Sequence, residues 1–148
     1  MSCFRKDMEV LTIKGEVPIE TLAKYKNPVI VWNGKKWIKA SFYQTNKSAI
    51  IYYIYLRYNH DCYIEKSFIA CTEYTQFRFK GQLKTLYELY YDYKATEFDK
   101  YLLPIETVEK TTEYIKTQAF IEEIKRADYC MTYGSDADAL IINNILVY

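Results

Sequence analysis

The stretch Val29-Ile30-Val31-Trp32, Asn33-Gly34, Lys35-Lys36-Trp37-Ile38-Lys39-Ala40 constrains the fold of this chain more than any other. Two apolar, β-prone runs flank a dipeptide whose residues tolerate positive φ, the strongest short-range signal for a β-hairpin. Similar runs recur along the chain. Ile50-Ile51-Tyr52-Tyr53-Ile54-Tyr55-Leu56 reads as a strand, Tyr58-Asn59-His60-Asp61 as a turn, and Cys62-Tyr63-Ile64 and Phe68-Ile69-Ala70-Cys71-Thr72 as more strand. Phe77-Arg78-Phe79 alternates as a half-buried strand does. Phe120-Ile121-Glu122-Glu123-Ile124 and Tyr129-Cys130-Met131-Thr132-Tyr133 are extended, and Leu140-Ile141-Ile142 with Ile145-Leu146-Val147 closes the chain after a turn at Gly134-Ser135-Asp136. Two stretches carry helical signals: Ile19 to Tyr25 behind Pro18, ended by Asn27-Pro28, and Leu83, Leu86, Tyr87 and Tyr90, whose spacing predicts a helix between Gln82 and Tyr93. Residues 105 to 117 fit strand and helix equally well. The expectation is a single all-β domain with one or two short helices.

The chain has 148 residues, enough for one substantial core and too few for two comfortable domains. With 17 Tyr, 7 Phe, 4 Gly and 3 Pro, it has no low-complexity segment. A net charge of +1 leaves no footprint for a nucleic-acid backbone. No apolar run reaches membrane-spanning length, and the start is not a secretory signal. Cys3, Cys62, Cys71 and Cys130 are widely separated. A chain able to build a core has little need of a four-cysteine disulfide framework, and the paired spacing of a zinc site is absent. The expectations are an intracellular protein with no cofactor or metal.

Cys3 leads straight into the apolar run Val10-Leu11-Thr12-Ile13 and a turn at Lys14-Gly15. Chain ends fray unless they are held, so Cys3 is either a tail thiol or a nucleophile fixed by its own strand. A nucleophilic site also needs a proton acceptor and oxyanion donors. The single histidine, His60, lies in a polar turn and reads as a surface side chain. Thr72 and Thr75 are hydrogen-bond donors at a strand end, or ordinary sheet residues. Cys130 reads as a small buried hydrophobe, and Asp136 and Asp138 as a solvated turn or one acidic side of a site. No phosphate loop, HExxH motif or serine elbow is present.

The order of these pieces resembles the motifs of inteins. Cys3-Phe4-Arg5-Lys6-Asp7-Met8-Glu9-Val10-Leu11-Thr12, then Gly15 and Pro18-Ile19-Glu20-Thr21-Leu22, is similar to their amino-terminal splicing motif. Thr72-Glu73-Tyr74-Thr75-Gln76-Phe77 resembles the Thr-x-x-His-x-Phe motif, with Thr75 at the His position. Tyr129 to Tyr133 resembles the Tyr-Asp/Cys-Leu-Thr-Val strand, and Leu140 to Tyr148 the closing Phe-x-x-Asn-Gly-Ile-x-Val-His segment. The resemblance spans the chain and leaves no room for a homing-endonuclease insertion. It is to a mini-intein, with the phage type as one reading, residues 3–148 as the splicing domain and Met1-Ser2 as a remnant upstream flank.

The resemblance implies the horseshoe-shaped, all-β Hint fold and autocatalytic protein splicing. Cys3 would perform an N-to-S acyl shift, the first downstream residue would take the acyl group, a terminal Asn would cyclise, and the flanks would rearrange to a peptide bond. Thr72 and backbone amides would stabilise the oxyanion, and Cys130 would tune Cys3 and proton traffic. Three positions depart from the family's pattern. Thr75 cannot act as an imidazole acid, Asp138 stands near the place of a His that assists Asn cyclisation, and Tyr148 replaces the penultimate His. The implied partners are covalently attached flanking polypeptides, with a complementary intein fragment if the natural form is split. No nucleic acid or membrane is expected, and the location would be the cytoplasm, within an intracellular or phage-encoded host. Because the sequence ends at Tyr148, the terminal Asn is missing and this chain is expected not to complete splicing. The alternatives are a degenerate relative, an autoprocessing domain that cleaves without ligation, and a β-rich phage structural or interaction domain.

Overall fold

The Asn-Gly hairpin forms where its residues dictate, with a wider loop than a two-residue turn. In the computed structural model, which describes residues 2–59, 64–92, 97–102 and 113–148, β3 (Val29–Trp32) pairs antiparallel with β4 (Trp37–Ala40), setting Trp32 opposite Trp37. Between them Gly34 has φ 97°. Asn33 Oδ1 accepts from the backbone N–H groups of Lys35 and Lys36 at 2.9 and 2.8 Å, so its side chain serves the loop's own backbone.

Upstream, β1 (Glu9–Thr12) and β2 (Gly15–Pro18) form a second hairpin. Pro18 leads into α1 (Ile19–Leu22), which buries Ile19 and Leu22 and is shorter than the stretch to Tyr25 that carried the helical signal. The closing runs are β13 (Leu140–Ile142) and β14 (Ile145–Val147). Asn143 and Asn144 join them with φ of 50° and 63°, the doubly positive pattern that tight hairpins favour.

One expected helix is corrected in its first half. Residues Gln82–Thr85 are a strand, β9, paired with β8 (Gln76–Phe79). Lys80 and Gly81 between them have φ of 50° and 79°, so a tight turn reverses the chain just before the stretch where the leucine spacing suggested helix. Turn chemistry and ladder pairing outweigh that spacing, and Leu83 is left exposed. Helical structure follows only afterwards, with a short π-helical segment, α2 (Glu88–Asp92); Leu86 and Leu89 are buried.

The longest strands are β6 (Ala49–Asn59), β7 (Ile64–Cys71) and β11 (Glu113–Ala127). With β10 (Glu97–Leu102) they form a sheet in the order β10-β11-β6-β7, with a bulge between Ile121 and Glu123. The ambiguous stretch is thus strand from Glu113 onward. Its earlier part, and the readings made for His60, Asp61 and Cys62, lie outside the described residues.

A second sheet runs β4-β3-β1-β13-β14-β8-β9, with β2 on β1. A third pair joins β5 (Phe42–Thr45) to β12 (Cys130–Tyr133). Phe4, Met8, Ile51, Ile54, Phe77 and Phe98 are fully buried in one cluster. Phe77 and Phe98 stack there at 4.5 Å, adding aromatic contact to their burial. Among the described residues the architecture is all-β with two short helices, as the sequence indicated.

The first residues are built into this framework. Phe4 exchanges backbone hydrogen bonds with Met131, 2.8 Å each way. Arg5 N–H donates to Ala70 O at 3.1 Å, and Thr72 N–H donates to Cys3 O at 2.9 Å. The segment is therefore laid between β12 and the end of β7, and Cys3 is 4% exposed. It is held, which answers the fraying objection.

Candidate active site

The seam that holds residues 3–5 brings Cys3 to Cys130. Their sulfurs form a disulfide across Cα atoms 5.6 Å apart, linking residues 127 positions apart. That separation is ordinary for a bridge. The sequence spoke against a four-cysteine framework and gave no reason for a single bridge; strand pairing supplies it. Cys71 is buried as a free thiol. Burial pushes that thiol up to about 12, the nearby Thr75 hydroxyl pulling weakly the other way.

The peptide group between Ser2 and Cys3 is gripped at both ends. Thr132 Oγ1 donates to the carbonyl oxygen of Ser2 at 2.7 Å. On the nitrogen side, Cys3 N–H donates to Thr72 Oγ1 at 3.2 Å. Both threonines are buried, so these bonds act where water competes little. Thr72 was expected among the oxyanion donors; its oxygen accepts from the amide nitrogen of Cys3, and the carbonyl oxygen of Ser2 accepts from Thr132.

Thr45 ties the sulfurs to the sheet. On β5, opposite Cys130, its hydroxyl donates to Cys130 O at 3.1 Å and accepts from Cys130 N–H at 3.3 Å. The same oxygen lies 3.3 Å from Cys130 Sγ and 3.9 Å from Cys3 Sγ. A cavity of about 370 Å³ opens here, lined by Cys3, Thr45, Thr72, Glu73, Tyr74 and Cys130, with Lys47 and Ser48 also on its wall. Tyr133, half-buried beside Ser2, has its phenol pushed up to about 12 by desolvation, with a hydrogen bond to Ser2 opposing the shift.

The remaining candidates are dispersed. Thr75 is fully buried, its N–H donating to Thr72 O at 3.2 Å and its carbonyl accepting from Leu86 N–H at 2.9 Å. Its hydroxyl makes no hydrogen bond of good geometry among the described residues. Asp138 is exposed, accepts from Asn33 Nδ2 at 3.1 Å, and does not line the Cys3 cavity. Tyr148 lies at the other end of the turn that carries Thr72 and Thr75. Its N–H donates to Gln76 O at 3.0 Å, and its phenol oxygen accepts from Arg78 Nε at 3.1 Å and Nη2 at 2.8 Å. Residues 72 to 76 thus touch Cys3 at one end and Tyr148 at the other.

Sequence reasoning missed Thr132, Thr45 and Arg78. Thr132 was within reach, since it lies two residues beyond Cys130 on the same strand face. Thr45 carries no comparable signal, because only the β5–β12 register sets it against Cys130. Among the described residues, no group of three or more His, Cys, Asp or Glu is placed to hold a metal ion, and no helix is long and apolar enough to cross a membrane.

No family profile matches this sequence, and no curated protein matches it. Solved structures do. A variant of the Ssp DnaB mini-intein is similar with a TM-score of 0.70 at 14% identity, over 99% of this chain and 92% of that one. The DnaB intein from Synechocystis sp. gives 0.63 at 15%, covering 100% and 98%. The DnaX mini intein from Spirulina platensis gives 0.61 at 11%, covering 99% and 98%. In its described residues the chain therefore has the Hint fold of these mini-inteins.

Proposed function

We propose that this chain is a protein-splicing domain whose first step is an N-to-S acyl shift at Cys3. The observation that carries this reading is the grip on the Ser2–Cys3 peptide by Thr132 and Thr72. A hydroxyl donating to the carbonyl oxygen draws charge toward the atom that becomes an oxyanion when sulfur adds to the carbon. Thr72 contacts the nitrogen that leaves. Sγ of Cys3 forms a bond to the Ser2 carbonyl carbon, the carbon–nitrogen bond breaks, and the thiol proton is accounted for on the new α-amine of Cys3. Neither threonine is an acid or base near neutral pH, so each orients and polarises.

The disulfide bears directly on this step. Bonded to Cys130, Cys3 Sγ has no thiolate to offer. A dithiol reductant supplies two electrons and two protons, is itself oxidised to a disulfide, and leaves both cysteines as thiols. Cys71 does not compete, because burial keeps its proton on. Transfer of the acyl group to a downstream Cys, Ser or Thr, and cyclisation of an Asn placed after Tyr148, would complete the sequence with flanking polypeptides as its substrates.

The acyl shift is tested by thiolysis. The chain is fused after an upstream flank and incubated with dithiothreitol, and release of the flank is followed by intact mass. Release from the parent chain and none from Cys3→Ala is expected. Equal release from both would remove Cys3 from the reaction.

A further inference from the structure

Tyr148 stands where the motif resemblance places a penultimate histidine, and a phenol is a weak proton donor near neutral pH. Its surroundings alter what it can do. The phenol oxygen accepts hydrogen bonds from both Nε and Nη2 of Arg78, at 3.1 and 2.8 Å. Two N–H groups converging on one oxygen occupy its acceptor capacity, so the remaining hydrogen-bonding role of the group is its O–H proton. Donation from a cation also draws electron density from that oxygen and strengthens the O–H as a donor.

The backbone of Tyr148 is fixed at the same time. Its N–H donates to Gln76 O at 3.0 Å, and the preceding Val147 pairs with Phe77 on β8. Arg78 is on that strand, and its Nη1 donates to Gly81 O at 3.3 Å in the following turn. One short strand therefore holds both the main chain and the phenol of the residue that would precede the cyclising Asn at the downstream junction.

We propose that Arg78 is the positioning residue for the downstream half of the reaction, acting through Tyr148 in place of a histidine. This inference rests on the splicing reading. In the step concerned, the side-chain nitrogen of an Asn following Tyr148 bonds to that residue's own carbonyl carbon. The peptide bond to the downstream flank breaks, and the proton given up by the attacking side-chain nitrogen is balanced by one gained by the leaving amine. A polarised phenol O–H supports this by hydrogen bonding to the oxygen or nitrogen of the breaking peptide. Arg78 supplies the charge and the aim, and contributes no proton.

The test uses the chain extended by Asn and a downstream flank beginning with Ala, which blocks acyl transfer, together with an upstream flank. Downstream release with a succinimide end, and upstream release by dithiothreitol, are both followed by intact mass. Arg78→Ala and Tyr148→Phe are each expected to slow downstream release by about 100-fold or more. The double variant is expected to be no slower than the slower single one, because the two act as one unit. Arg78→Lys should recover part of the rate, and upstream release should stay within about twofold in all variants. Unchanged downstream release in Arg78→Ala would overturn the proposal, and so would equal slowing at both junctions, which marks a structural role. Parent protein that releases neither flank under reduction would defeat the splicing reading, and this inference with it. Upstream release with an indifferent Arg78 would defeat this inference alone.

Discussion

Reducing the Cys3–Cys130 bridge should make the protein less stable and more reactive at once. The bridge closes a loop between residues 127 apart. In the chain-entropy account, cross-linking a loop of that length removes about 5 kcal/mol of freedom from the unfolded chain at 25 °C, and native bridges commonly deliver roughly 2–5 kcal/mol. For a domain of this size each kcal/mol moves the melting temperature by roughly 2–4 °C, so reduction should lower it by about 10 °C. The assay is thermal unfolding followed by circular dichroism, with and without tris(2-carboxyethyl)phosphine, on the parent chain and Cys130→Ser. The variant should melt near the reduced parent and ignore the reductant. With an upstream flank attached, the reductant concentration that lowers the parent's melting temperature should also switch on release at Cys3. Identical melting of oxidised and reduced parent, with both thiols titrating freely in the native state, would refute the reasoning.

Thr132→Val keeps the shape of the side chain and removes the donor to Ser2 O, so thiolysis at Cys3 should slow by about 100- to 1,000-fold; an unchanged rate would dismiss the oxyanion assignment. Cys71 should resist iodoacetamide at pH 8 in the reduced native protein while Cys3 reacts, read by peptide mass. An unfolded Cys71 thiol ionises near its ordinary value of 9.0, whereas the folded one holds its proton to about 12. Unfolding therefore releases a proton in that window, and stability should fall as pH rises from about 9 to 12, more steeply in the parent than in Cys71→Ala; parallel pH profiles by urea unfolding would count against it. Asn144→Val puts a β-branched residue at φ 63° and should cost roughly 1–2 kcal/mol in urea unfolding; Asn144→Gly should not.

The hairpins were legible because their turn residues carry their own instruction. Asn33-Gly34, flanked by apolar runs, turned as read; the turn at Asn143-Asn144 sits inside what was read only as the closing β run. Lys80-Gly81 carries a similar instruction, but Leu83, Leu86, Tyr87 and Tyr90 repeat at helical spacing immediately after it, and a periodicity reading starts the helix there instead of a second strand. The site was legible only in part for a different reason. Cys3, Thr72 and Cys130 were reached through motif order, while the bridge and the grip on Ser2 depend on residue 4 pairing with residue 131, a contact that no local pattern encodes. Thr45 and Arg78 owe their places to strand register alone.

The most direct measurement is the intact mass of the reduced chain carrying an upstream flank, Asn after Tyr148, and a downstream flank beginning with Cys, Ser or Thr. The account predicts a ligated product equal in mass to the two flanks joined, accompanied by the excised chain, and no such product from Cys3→Ala. A folded, reduced chain that yields no ligated flank with any of the three nucleophiles, or ligation that persists in Cys3→Ala, would contradict it.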